Sequence, residues 1–175
     1  MQERKLHVVL LGGEVKGCHV EMHDVRFVVG ESIEDCYPQL RKEWVGMPDS
    51  LHIDAYLALH YVDGFALRLE KTPSTAEHKL YFVNTGAYDP AFFGEAHEIG
   101  FYVASSGAEA KQRAKAELLA GKAQIHKDNL YDVDDCLALD EVGGWHIHLQ
   151  PTEQSQQIKP DWFGYDTKVR GNQQD

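Results

Sequence analysis

Two short constellations in this sequence have the residue types of a general base or a metal site. The first is Glu21-x-His23-Asp24, repeated as Glu95-x-His97-Glu98. A Glu and a His two residues apart share one face of a strand. An imidazole beside a carboxylate suits proton abstraction or metal ligation. The second is His52-x-Asp54, repeated as His126-x-Asp128. His and Asp suit a hydrolytic divalent ion such as zinc or manganese, and two such segments supply the usual count of ligands. The catalytic candidates are therefore His23, His97, His52 and His126. The metal candidates add Glu21, Asp54, Glu95 and Asp128. The competing role is structural: a Glu–His pair can tie a loop to a sheet, and His52 and His126 can cap the ends of preceding helices. The sequence holds no HExxH, no nucleophile elbow and no phosphate loop.

These candidates recur because the chain resembles itself. Shifted by 74 positions, 5–54 falls on 79–128 with identities at Lys5, Leu6, Val9, Gly12, Glu21, His23, Phe27, Val29, Ser32, Glu43, His52 and Asp54. Shifted by 80, 57–70 falls on 137–150 with six more identities. Chance would give roughly one match in twenty, so a tandem duplication is expected. The shift acts as a filter. His19, Cys18, the Gly12–Gly13 pair and the acidic insertion with Asp132, Asp134 and Asp135 each occur in one segment only. The insertion lacks the spacing, glycine and terminal glutamate of a calcium loop. His146 and His148 alternate outward on the last strand and are expected at the surface.

The elements that must position the candidates follow from patterning. Each segment opens on an apolar strand that ends at a shared glycine, Gly12 or Gly86. In the next strand Val25, Phe27 and Val29 alternate, as do Ile99, Phe101 and Val103, which predicts one buried face. Glu21 and His23 lie on that face and are expected at the rim of the core. A helix follows. Ser106-Gly-Ala-Glu109 matches a capping box and Ser32-Ile-Glu-Asp35 a weaker one. Cys36, Leu40 and Trp44 form an apolar stripe, matched by Ala110, Ala114 and Leu118. Pro38 is expected to kink or shorten the first helix. Glycine-bearing hairpins at Val62-Asp-Gly64 and Val142-Gly-Gly144 close each unit.

The expected fold is thus α+β: a β-β-α-β-β unit twice, each a β-grasp-like roll with one helix across a mixed sheet. The repeats are expected to pack together about a pseudo-two-fold axis, because a unit of this size is marginal alone. The boundaries are 1–70, a linker at 71–78, 79–150, and a tail at 151–175. Trp162, Phe163 and Tyr165 in that tail are expected to dock on the body or on a second chain.

Composition bounds the partners. The chain has 175 residues and a net charge of −11. That surplus argues against nucleic acid and anionic membranes, which need Lys and Arg against phosphate. No apolar run approaches a membrane span, and the first residues do not read as a signal peptide. Three scattered cysteines without CxxC fit reduced thiols in a cytoplasmic protein.

The runs His23-Asp-Val-Arg-Phe-Val-Val-Gly-Glu-Ser32, Tyr37-Pro-Gln-Leu40, Leu51-His-Ile-Asp54 and Val62-Asp-Gly64 resemble an uncharacterised bacterial family catalogued as domain of unknown function 1543. The segments 94–103 and 126–135 and the 159–162 tail are similar to its two-copy form. The resemblance implies no activity, cofactor or catalytic residue. Two functions are expected from the residues: a small-ligand-binding or interaction protein with a cleft between repeats, or a metal-dependent, hydrolase-like enzyme. A purely structural homodimer is a third expectation.

Overall fold

The computed structural model describes residues 3–88, 91, 93–118, 124–125 and 135–171. Strands dominate: β1 (Lys5–Gly13), β2 (Met22–Gly30), β3 (His52–Leu59), β4 (Tyr61–Val62), β5 (Phe65–Glu70), β6 (Lys79–Tyr88), β7 (Glu95–Ala104), β8 (Gln124–Ile125), β9 (Asp135–Ala138), β10 (Glu141–Val142), β11 (Trp145–Pro151) and β12 (Trp162–Asp166). Helix α1 spans Tyr37–Glu43 and α2 spans Gly107–Glu117. No described helix is long and apolar enough to cross a membrane. The chain divides into two compact units. One takes Met1–His60, Val142–Trp145 and Gln156–Asp175; the other takes Tyr61–Glu141 and His146–Ser155.

The first unit holds a four-stranded sheet of order β12-β3-β1-β2. Its central strand β1 pairs antiparallel on both sides. Helix α1 covers the face that carries Val9, Leu11, Val28 and Ile53. Cys36, Leu40 and Trp44 pack into that cluster, as the four-residue spacing predicts. Each large aliphatic buried there contributes about 1.5–3 kcal/mol. The start of the helix is built from Asp35, whose carboxylate accepts from the Ser32 backbone N–H at 2.9 Å. Pro38 falls in the first turn of α1. There the missing N–H needs no partner, so it starts the helix rather than kinking it.

The second unit repeats this register. Gly12 opposes His23 in the first unit, and Gly86 opposes His97 here. Helix α2 covers Tyr81, Val83, Tyr102 and Ala104 with Ala110 and Ala114. Ser106 Oγ accepts from the Glu109 N–H at 3.3 Å. Glu109 reaches back to Ser105 rather than Ser106, accepting from its N–H and hydroxyl at 2.9 and 2.7 Å. Strand β6 pairs first with β8 and then with β9. Ala87 and Asn84 are three residues apart, whereas their partners Ile125 and Asp135 are ten apart. The partners of β6 therefore differ in register by seven residues, where β3 shifts by one.

Several expectations are corrected. Every strand pairing described is antiparallel, so the sheet is not the mixed sheet of a β-grasp roll. The helices lie on the faces of Val28 and Tyr102, opposite the faces that carry Phe27 and Phe101. Apolar residues occupy both faces of these strands, so alternation alone does not choose the helix side. The hairpin strands β5 and β11 pair with one another, from His146 opposite Glu70 to Pro151 opposite Phe65. Both hairpin turns use left-handed backbone, with φ of 51° and 77° at Asp63 and Gly64, and 58° and 76° at Gly143 and Gly144. That is the type I′ pattern the glycines predict. In the tail Trp162 packs on the first core, but Phe163 is 78% exposed.

Candidate functional site

The site grows from a glycine. Gly12, near the end of β1, lies opposite His23 on β2 and opposite His52 on β3. All three belong to the sheet face away from α1. A Cβ on Gly12 would sit 2.4 Å from His52 Nε2 and 2.8 Å from Asp54 Oδ2. Only hydrogen fits there, and the two flanking side chains lean over the bare Cα.

A β-bulge supplies the fourth side chain. Leu11 pairs with Ile53 and Leu10 with Ala55, which leaves Asp54 as the extra residue. A bulge places consecutive side chains on one side of a sheet and re-aims them. Here it turns the Asp54 carboxylate toward the imidazoles while Ala55 keeps its place on the same face. Glu21 joins from just before β2, two residues from His23.

The four side chains converge. His23 Nε2 lies 3.1 Å from Asp54 Oδ2 and 3.9 Å from Glu21 Oε2. His52 Nε2 lies 3.3 Å from Asp54 Oδ1 and 3.4 Å from Glu21 Oε1. Single ligand atoms of Glu21, His23 and His52 all lie within 4.8 Å of one another. Burial is graded. His52 is 1% exposed, whereas His23 and Glu21 are nearly half exposed, so one side of the cluster opens to solvent.

The tautomer of His52 follows from its other nitrogen. Nδ1 stands 2.9 Å from the Ser50 carbonyl oxygen. A carbonyl only accepts, so Nδ1 carries the proton. In the neutral ring Nε2 then presents a lone pair to two carboxylates. Acceptor facing acceptor is unfavourable unless a cation or a proton lies between. Asp54 Oδ2 is screened from solvent and receives no hydrogen bond; His23 Nε2 is near it but out of hydrogen-bonding alignment. Among the described residues, the ion-pairing partners of Glu21 and Asp54 are these two imidazoles.

The tail completes the site. The Tyr165 ring stacks on the His52 ring, with centroids 4.1 Å apart and planes tilted by 35°. Arg170 donates to the Leu51 carbonyl at 2.6 Å, to the Ser50 carbonyl at 3.2 Å and to the Tyr165 hydroxyl at 3.3 Å. Tyr37 donates to Asp166 at 3.0 Å, which ties β12 to α1; burial and that bond raise the Tyr37 pKa.

The chain belongs to the DUF1543 family. The model of that family, described as Domain of Unknown Function (DUF1543), matches residues 18–69 and 93–149. The crystal structure of a protein Il1583 from Idiomarina loihiensis is similar to it at 36% identity and a TM-score of 0.74, covering 94% of this chain and 97% of that one. No curated protein matches the chain. Gly12 and the 162–170 tail fall outside both DUF1543 segments.

The other candidates are placed as follows. Glu95 and His97 approach to 3.6 Å beside Gly86, whose added Cβ would meet Glu95 Oε1 at 2.3 Å. His126, Asp128 and residues 129–134 of the acidic insertion lie outside the described residues. His19 and Cys18 are exposed. His146 and His148 are less exposed than expected, at 22% and 24% of their side chains. His148 is 2.8 Å from the Thr72 carbonyl and ties down the linker. Burial, with Asp35 nearby, pushes the Cys36 thiol up to about 12, which keeps it an inert core residue. The sequence marks Gly12 as a shared strand end and Tyr165 as a docking ring without tying either to the site, and it does not single out Ser50 or Arg170. Gly12 had a signal, since it is one of the shared positions. Arg170 had none.

Proposed function

We propose that the first-unit cluster holds a divalent metal ion and that the protein is a metal-dependent, hydrolase-like enzyme. The observation that carries this is the spacing of the ligand atoms. Around a tetrahedral ion with bonds of about 2.05 Å, neighbouring ligand atoms stand about 3.3 Å apart. The contacts here are 3.1, 3.3, 3.4 and 3.9 Å. An imidazolium hydrogen-bonded to carboxylates would close to roughly 2.7–2.9 Å. One ligand atom each of Glu21, His23 and His52 lies within 4.8 Å of the others, close enough to share one ion.

Glu21, His23 and His52 form a two-His, one-carboxylate set, which suits catalytic zinc and also iron or manganese. The Ser50 carbonyl on Nδ1 of His52 is the outer partner that ligating histidines require. When bound, the ion supplies Lewis acidity toward water or a substrate oxygen. Asp54 Oδ2, screened and without a donor, accepts a proton or serves as a further ligand. The solvent-open side beside His23 and Glu21 leaves room for a substrate.

The same view takes the two segments as copies of one β-β-α-β-β unit, supported by the shared glycine–histidine registers. Binding without catalysis is the second function, favoured by the exposed ring of Tyr165 against His52. Zinc, cobalt and manganese should each raise the melting temperature of chelator-treated protein, and turnover of ester and phosphoester substrates should follow the added metal. Protein that gains neither heat stability nor a bound ion would refute the metal site. Metal binding without turnover of any substrate would leave binding as the function.

A further inference from the structure

The tail beyond residue 155 is held in the first unit by more than one contact. The Asp161 carboxylate accepts from the Ala58 N–H at 2.7 Å, β12 pairs with β3, and Val169 is fully buried in the core. Two further tail residues, Tyr165 and Arg170, both act on His52. Tyr165 covers the imidazole face. Arg170 binds the Ser50 carbonyl, which is the acceptor of the His52 Nδ1 proton. A carbonyl oxygen has two lone pairs, so the guanidinium and the imidazole share it without competing for one site. The neighbouring Leu51 carbonyl takes the second guanidinium bond, so the 50–51 backbone is gripped by a planar fork.

We propose that Tyr165 and Arg170 are positioning residues for His52: they fix its ring plane and its Nδ1-protonated tautomer, so that Nε2 is a ligand. This rests on the metal-site function above, because it concerns the same histidine. It adds that the site needs a segment outside both DUF1543 segments. The chain has one such tail and two Glu-x-His pairs. Among the described residues, no strand lies beyond β8 or β9 as β12 lies beyond β3. The tail therefore bears on the histidine of the first segment, His52.

The test combines two readouts. Imidazole nitrogen NMR on the metal-free full-length chain reports the His52 tautomer. A chelator competition with zinc reports affinity. Wild type and Tyr165→Phe, which keeps the stacked ring, should show the Nδ1-protonated form and equal affinity. Tyr165→Ala and Arg170→Met should show mixed tautomers and a zinc affinity weaker by about 10–100-fold, the usual cost of losing an outer partner. Arg170→Lys, with one donor head, should recover part of both. Tyr165 is 64% exposed, so its substitution leaves the core intact. An unchanged tautomer and an unchanged affinity in Tyr165→Ala and Arg170→Met would overturn the proposal. If wild type binds no zinc while the tautomer still responds to Arg170→Met, positioning holds and the metal site fails. If zinc binds equally to all forms, the metal site holds and positioning fails.

Discussion

The two glycines at the ends of the central strands show what separates the units. A Cβ on Gly12 would meet the His52 imidazole and the Asp54 carboxylate, whereas among the described residues one on Gly86 would meet the Glu95 side chain. The glycine–histidine register is the same in both. What differs is the third strand and what borders it. In the first unit β3 is bulged at Asp54 and edged by β12; in the second, β6 pairs with β8 and with β9, whose registers differ by seven residues. A site needs the strand geometry that aims its ligand residues.

The largest test of this contrast is one methyl group. Gly12→Ala should destabilise the protein by about 1–3 kcal/mol, the range for overpacking a fixed core, because the buried His52 ring has nowhere to move. It should also abolish metal binding. Among the described residues Gly86→Ala meets the side chain of Glu95, which can swing outward, so it should cost less than Gly12→Ala. Urea unfolding compares the two. Equal costs would mean that the two glycines stand in equivalent surroundings.

The hairpin turns give a second contrast. Asp63 accepts from the Val103 N–H at 2.7 Å and from Arg113 at 2.9 Å, while the equivalent position is Gly143. Asp63→Gly keeps the left-handed backbone and removes both bonds. The expected loss is about 1–2 kcal/mol by urea unfolding; no loss would make the Asp63 contacts incidental.

The helix starts differ in a subtler way. Ser106 caps with its hydroxyl, whereas Ser32 donates its backbone N–H to Asp35. Ser106→Ala should cost about 1 kcal/mol. Ser32→Ala should cost nearly nothing, since alanine keeps the N–H. A reversed order in thermal unfolding would contradict the assignment of the caps.

The smallest effect is in acid. His7 is 4% exposed with neither ring nitrogen hydrogen-bonded, and its counterpart at the 74 offset is Tyr81. Burial lowers its pKa most; the Gly30 backbone, near the ring but short of hydrogen-bonding geometry, and Asp161 oppose that, while Lys5 and His60 add to it. The unfolded chain therefore takes up a proton before the folded one does. Stability is full above the unfolded value near 6.5 and falls as pH drops toward the lowered folded value. His7→Leu should flatten that part of the pH–stability curve. An unchanged slope would mean His7 is not the group responsible.

Much of the fold is written in local chemistry. The helix stripes, the caps and both I′ turns follow from Cys36, Leu40 and Trp44, from Ser106, and from Gly64 and Gly144, because each depends on residues close in sequence. The pairing of β5 with β11 and the choice of helix face depend on distant partners, and alternation along a strand does not encode them. The site divides the same way. Glu21, His23, His52 and Asp54 were legible from type and recurrence. The bulge that aims Asp54 and the Arg170 grip on Ser50 were not, since one is a register shift and the other joins residues 120 positions apart.

Metal content per chain tests the central claim most directly. Wild type, His52→Ala and His97→Ala would be loaded with zinc, freed of excess and assayed by elemental analysis. One ion per chain in wild type and in His97→Ala, with none in His52→Ala, is the predicted result. A metal-free wild type, or an ion that survives His52→Ala, would contradict it.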